Sequence, residues 1–146
     1  MIAQFEKLTI QEQELLLKAP VLLSVLASCS NHGINKTQKA DAIKLAHIKT
    51  FTAVALLQPY YREVEKTFRE NFEAVAAAYY PFDEKKRDDL KKEVSKVQEI
   101  IEKLDLTYGG ALSKSLERYA THVKRATHTI FQDFMFPIII LDLTHH

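Results

Sequence analysis

Between Pro20 and Ala27 the chain reads Pro-Val-Leu-Leu-Ser-Val-Leu-Ala, without a charge and with a single hydroxyl. At 100° per residue these side chains point to nearly every side of a helix, and a helix that is apolar all round must be enclosed by other elements. A central helix over about 20–30 is therefore predicted. What surrounds it is constrained too, because only three glycines and four prolines occur in 146 residues. A β-rich fold needs turn residues at short intervals. The expected enclosure is helical, and the expected fold class is all-α.

Thr9 and Glu12 stand three apart ahead of an apolar run, the pattern of a capping box, so a short helix is expected over about 10–18. Pro20 fits the first turn of the next helix, where no N–H is needed. Gly33 suits a left-handed stop, and Asn35 with Gln38 suits the cap of a third helix carrying Ile43, His47, Phe51, Val54 and Leu57. Pro59 interrupts that helix, and a fourth follows over about 59–80 with the stripe Tyr61, Val64, Phe68, Phe72, Val75 and Tyr79. Pro81 ends it, and Asp83 can cap a fifth.

The clearest periodicity lies further on. Leu90, Val94, Val97, Ile101 and Leu104 alternate steps of four and three, and the alternation resumes at Leu112, Leu116, Tyr119, Val123, Ala126 and Ile130. Two such seams, joined by a turn that contains Gly109 and Gly110, predict a C-terminal antiparallel helical hairpin. The run Ile138 to Leu143 is expected to strap the core; left exposed, it would serve as the contact of a homodimer. No linker or low-complexity segment divides the chain. The expectation is one compact domain, 1–146, of about six helices.

The formal charge is +1, so any attraction to polyanions must be local. The single cysteine, Cys29, cannot form an intramolecular disulfide, and a reducing, cytoplasmic setting is expected. No basic segment followed by an apolar core opens the chain, and 130–143 is too short and too interrupted to span a bilayer.

Chemistry-bearing patterns are sparse. Neither Glu-x-x-His nor His-Glu-x-x-His occurs, and His122 and His128, six apart, stand about 120° from each other on a helix. A calcium loop centred on Gly33 would put Ser28, Ser30 and His32 at carboxylate positions and Lys39 where a bidentate Glu is needed. No Gly-x-Ser-x-Gly elbow or phosphate-cradling glycine loop is present. No catalytic, metal-ligating or cofactor-binding residue is assigned, and no enzyme activity or cofactor is expected.

One group stands out. Lys114, Arg118, His122 and Arg125 fall within roughly 80° of arc on one helix, a basic stripe able to meet phosphates or anionic head groups. Acids of the preceding helix, such as Asp89, Glu93 and Glu102, are placed by sequence to neutralise it. Aromatics do not interleave with the cations, so nucleic acid is the less expected ligand. A further alternative is a ligand pocket inside the bundle lined by His47, Tyr61 and Tyr79.

Leu8-Thr9, Ala19-Pro20, Val25-Leu26-Ala27 and Gly33-Ile34 together resemble the opening of the TerB-like family. These are tellurite-resistance-associated helical domains related to the N-terminal region of DjlA-type co-chaperones. The likeness is confined to about 8–48. His32 stands where the family has an aspartate, and Gln38 and Lys39 stand where it places an acid. The resemblance implies a helical fold and a non-enzymatic interaction module in bacterial stress response, acting through an unidentified protein partner. It does not carry the family's acidic ligands to this chain.

Overall fold

The structure, a computed structural model, describes residues 2–28, 40, 43–44, 47–48 and 52–127, apart from the side chains of 28 and 124–127. The stop expected at Gly33, the cap at Asn35 and the apolar tail 138–143 lie outside the described residues, as does His128. Among the described residues the ordered elements are helical and none is a strand. A 3-10 helix, Ala3–Lys7, leads into α1 (Ile10–Leu17) and α2 (Ala19–Ser28). A second 3-10 turn, Ala55–Leu57, leads into α3 (Gln58–Ala78), followed by α4 (Glu84–Ile101) and α5 (Leu106–Thr127).

The helix starts follow from local chemistry. The Thr9 hydroxyl accepts the Glu12 N–H at 3.1 Å while the Glu12 carboxylate accepts the Thr9 N–H at 2.9 Å, a complete capping box. The Asp83 carboxylate accepts the Lys86 N–H at 2.8 Å and opens α4. Pro59 sits in the first turn of α3, where its missing donor costs nothing. Gly109 and Gly110 correct the expected turn: both lie inside α5. Asp105 is the reason. Its carboxylate accepts the N–H groups of Thr107 and Tyr108 at 3.0 and 3.1 Å, so the helix begins before the glycines.

α2 packs against α3, α4 and α5, and α4 and α5 each meet α2 more extensively than they meet each other. Val21, Leu22, Leu23, Val25 and Leu26 are all buried. Around them lie Val64, Phe68 and Phe72 from α3, Leu90, Val94 and Val97 from α4, and Leu112, Leu116 and Val123 from α5. Each such side chain contributes roughly 1.5–3 kcal/mol of transfer free energy on burial.

Four tyrosines share this core, and three of them tie elements together through their hydroxyls. Tyr60 donates to the Leu16 carbonyl at 2.7 Å, joining α3 to α1. Tyr119 meets Ser24 at 2.9 Å, joining α5 to α2, and Tyr61 meets Ser115 at 2.5 Å, joining α3 to α5. Tyr108 is buried as well. Burial disfavours the phenolate and pushes Tyr61 and Tyr108 up to about 12; the same cause raises Tyr60 and Tyr119.

Candidate functional site

Two of the four stripe residues share a groove. α5 forms one wall with Thr107, Ala111, Lys114, Ser115 and Arg118, a set that recurs every three or four residues along one face. The opposite wall is the chain entering α3: Thr52, Ala53, Val54 and Leu57. The space between them is about 480 Å³, and eleven helical steps from Thr107 to Arg118 give it a length of about 16 Å. At Gly110, on the floor, an added Cβ would meet nothing within 4 Å.

Lys114 and Arg118 are exposed and stand one turn apart. Among the described residues neither has an acidic partner. Two of the three acids expected opposite them are engaged elsewhere, Glu93 with Lys96 at 2.9 Å and Glu102 with Gln98 at 3.5 Å. Between the two cations Ser115 is nearly fully buried yet lines the groove. Burial pushes its partner Tyr61 up to about 12. The two hydroxyls meet at 2.5 Å, either one able to donate, and the contact fixes Ser115 at the groove. Thr107 adds a hydroxyl at one end; the Thr52 hydroxyl donates to the Ile48 carbonyl at 3.2 Å.

The remaining stripe residues are elsewhere. His122 is exposed, further along α5 and outside the groove lining, and the side chain of Arg125 lies outside the described residues. The expected pocket of His47, Tyr61 and Tyr79 does not form one site. Tyr61 is buried against Ser115, while Tyr79 follows the far end of α3, five turns away, half-buried. His47 is exposed and its Nδ1 meets the Glu65 carboxylate. Position explains the failure: residues 18 apart on one helix can share a face without sharing a cavity.

A second concavity, of about 640 Å³, lies between α1 and α4 over an apolar floor of Leu15 and Ile100. Its lining carries four glutamates and three lysines, with Glu12 paired to Lys103 and Glu93 to Lys96, so the charges nearly balance and it presents little net field. Among the described residues no group of three or more His, Cys, Asp or Glu is placed to hold a metal ion, and no helix is long and apolar enough to cross a membrane.

The groove's hydroxyls carry no local signal in the sequence. Thr107, Lys114 and Arg118 repeat at steps of seven and four, which would have extended the stripe backwards. Thr52 arrives from another part of the chain. No protein-family model, curated protein or solved structure matches this chain. The site is therefore read from its own chemistry.

Proposed function

We propose that this chain is a non-catalytic binding module whose ligand is a phosphate-type anion, held in the groove by Lys114 and Arg118. The observation that carries this reading is the convergence of two unneutralised cations with the buried Ser115 hydroxyl on one concave face. Arg118 offers a planar fork of donors, Lys114 a compact charge, and Ser115 a hydroxyl held in place by Tyr61. A hydrogen bond to a charged group is worth about 1.5–3 kcal/mol, so each cation is expected to contribute about ten- to a hundredfold in affinity. Asp105 works against an anion at the groove's end, but its carboxylate is engaged by two backbone N–H groups.

Calorimetric titration of the full chain with pyrophosphate tests the reading. Saturable binding that falls with added salt, and that Lys114→Gln together with Arg118→Gln abolishes, is expected. No heat at low ionic strength, or unchanged binding by the double variant, refutes it.

The scaffold belongs to the same proposal: a bundle of about six helices, with the segment holding Ala40, Ile43 and His47 counted as one and α4–α5 as an antiparallel hairpin. Support comes from the tight link after Ile101, where Lys103 and Leu104 N–H groups bond to Ile100 and Ile101, and from the approach of Gly109 to Ile101. The lone Cys29 supports a cytoplasmic setting. Leu8, Thr9, Ala19 and Val25 to Ala27, which carry the TerB-like resemblance, are cap and core residues. That likeness concerns the scaffold, and the ligand proposal takes nothing from it. A second reading, contact with a protein, is favoured by the apolar-floored cleft between α1 and α4. Retention of a partner protein by the wild type, lost on Leu15→Glu, would support it.

A further inference from the structure

The surroundings of the groove narrow the source of the phosphate. Three aliphatic side chains on the elements that form it stand in water: Leu106 is 91% exposed, Val54 56% and Leu56 48%. Val54 lines the groove itself. Leu106 lies four residues before Gly110 and so on the same side of α5, and Leu56 belongs to the turn whose Leu57 forms the groove wall. A soluble phosphate has no use for such an edge. A nucleic acid would want rings for its bases to stack on, and the groove lining contains none. Two cations are also few for a polyanion backbone, on a chain with a formal charge of +1.

Aliphatic side chains beside cations and hydroxyl donors match a membrane–water interface, where apolar groups enter the acyl boundary and cations meet the phosphates above it. We infer that this face docks on an anionic phospholipid bilayer, with α5 lying along the surface. In that arrangement Leu106, Val54 and Leu56 are inserted while Lys114, Ser115 and Arg118 hold a lipid headgroup phosphate. This inference rests on the anion-binding reading above and names the source of the anion. The attachment is peripheral.

The magnitudes are modest and therefore measurable. A Lys or Arg near an anionic surface is worth about fivefold in partitioning even without a direct phosphate contact, so loss of both cations predicts a drop of at least about 25-fold. Replacing Leu106, the most exposed aliphatic, by serine removes about one leucine's worth of partial insertion, about fivefold or more.

The test is co-sedimentation of the full chain with phosphatidylcholine vesicles, with and without phosphatidylglycerol, beside a separate titration with soluble glycerol phosphate. Circular dichroism of each variant checks that the helices are intact, which is expected because Leu106, Lys114 and Arg118 are exposed. The inference predicts binding to the anionic vesicles only, weakened both by Leu106→Ser and by the Lys114→Gln, Arg118→Gln pair. Leu106→Ser should leave the glycerol phosphate titration unchanged. Glycerol phosphate binding without vesicle binding would overturn the inference and leave the anion-binding reading standing. Vesicle binding indifferent to Leu106→Ser would overturn it as well, and so would a salt-sensitive gel shift with nucleic acid in place of vesicle binding. Failure of both the vesicle and the glycerol phosphate arms would remove both readings together.

Discussion

The Ser24–Tyr119 contact sets up an asymmetric pair of substitutions. The Ser24 hydroxyl has one proton and donates it to the Pro20 carbonyl at 2.7 Å. Tyr119 must therefore be the donor in the 2.9 Å contact between the two hydroxyls. Ser24→Ala takes the Ser24 acceptor away from a fully buried phenol, which costs about 1–3 kcal/mol, offset by about 0.5 kcal/mol of better helix propensity. Tyr119→Phe leaves the serine still bonded to Pro20 and forfeits only a net hydrogen bond, about 0.5–1.5 kcal/mol. The double variant removes donor and acceptor together. It should cost about as much as Tyr119→Phe, well below the sum of the singles. The coupling energy is then about 1–2 kcal/mol, and Ser24→Ala should lower Tm by about 2–8 °C in a chain of 146 residues. Equilibrium urea unfolding at equal m-values is the assay. A larger loss for Tyr119→Phe than for Ser24→Ala, or strict additivity, would refute the donor assignment and with it the role of this bond in fixing α2 against α5.

Three further outcomes follow from the packing and the electrostatics of the fold. A Cβ at Gly109 would meet the Ile101 carbonyl oxygen at 3.1 Å and the Ile101 Cγ2 at 3.4 Å, whereas one at Gly110 meets open space. In thermal melts Gly110→Ala should gain about 0.5–1 kcal/mol and Gly109→Ala should lose up to about 2 kcal/mol; the reverse order would show that α4 yields freely to α5. At high pH the unfolded chain releases phenol protons near 10 while the fold holds them on Tyr61 and Tyr108 to about 12. Stability is thus fully present below pH 10 and is lost above it by about 1.4 kcal/mol per unit for each such phenol, so phenolate absorbance should rise steeply with unfolding; independent early titration of all six tyrosines would contradict this. The Lys103 ammonium beside Glu12, helped by the Thr9 N–H, holds the Glu12 carboxyl below its ordinary 4.5. Its contribution is present above pH 4.5 and lost as pH falls through the lower folded value, so Glu12→Gln should make the acid limb of a stability curve shallower, and superimposable limbs would contradict it.

Much of the scaffold was legible because its signals are local. Thr9 and Glu12 close a box within three residues, and the seams through Leu90 and Leu112 need only a period near 3.6. Two local features misled. Gly109 and Gly110 look like a turn, yet the Asp105 cap starts the helix before them, and Gly109 serves close approach to Ile101. Tyr60 lies off the stripe that contains Tyr61, but it is buried all the same because Phe5 and Leu16 cover it from elements far back in the chain. The candidate site divides in the same manner. Lys114 and Arg118 share a face by spacing alone. The wall of Thr52 to Leu57 and the 54-residue reach of the Tyr61–Ser115 bond depend on tertiary packing, which no local pattern reports.

The groove itself is most directly examined by backbone amide resonances of the full chain during titration with inorganic phosphate at low salt. Saturable shifts confined to 52–57 and 107–118, absent when Lys114 and Arg118 are both glutamine, are predicted. Shifts that are absent, unsaturable or retained by that double variant would contradict the claim that these two cations and Ser115 form a binding site.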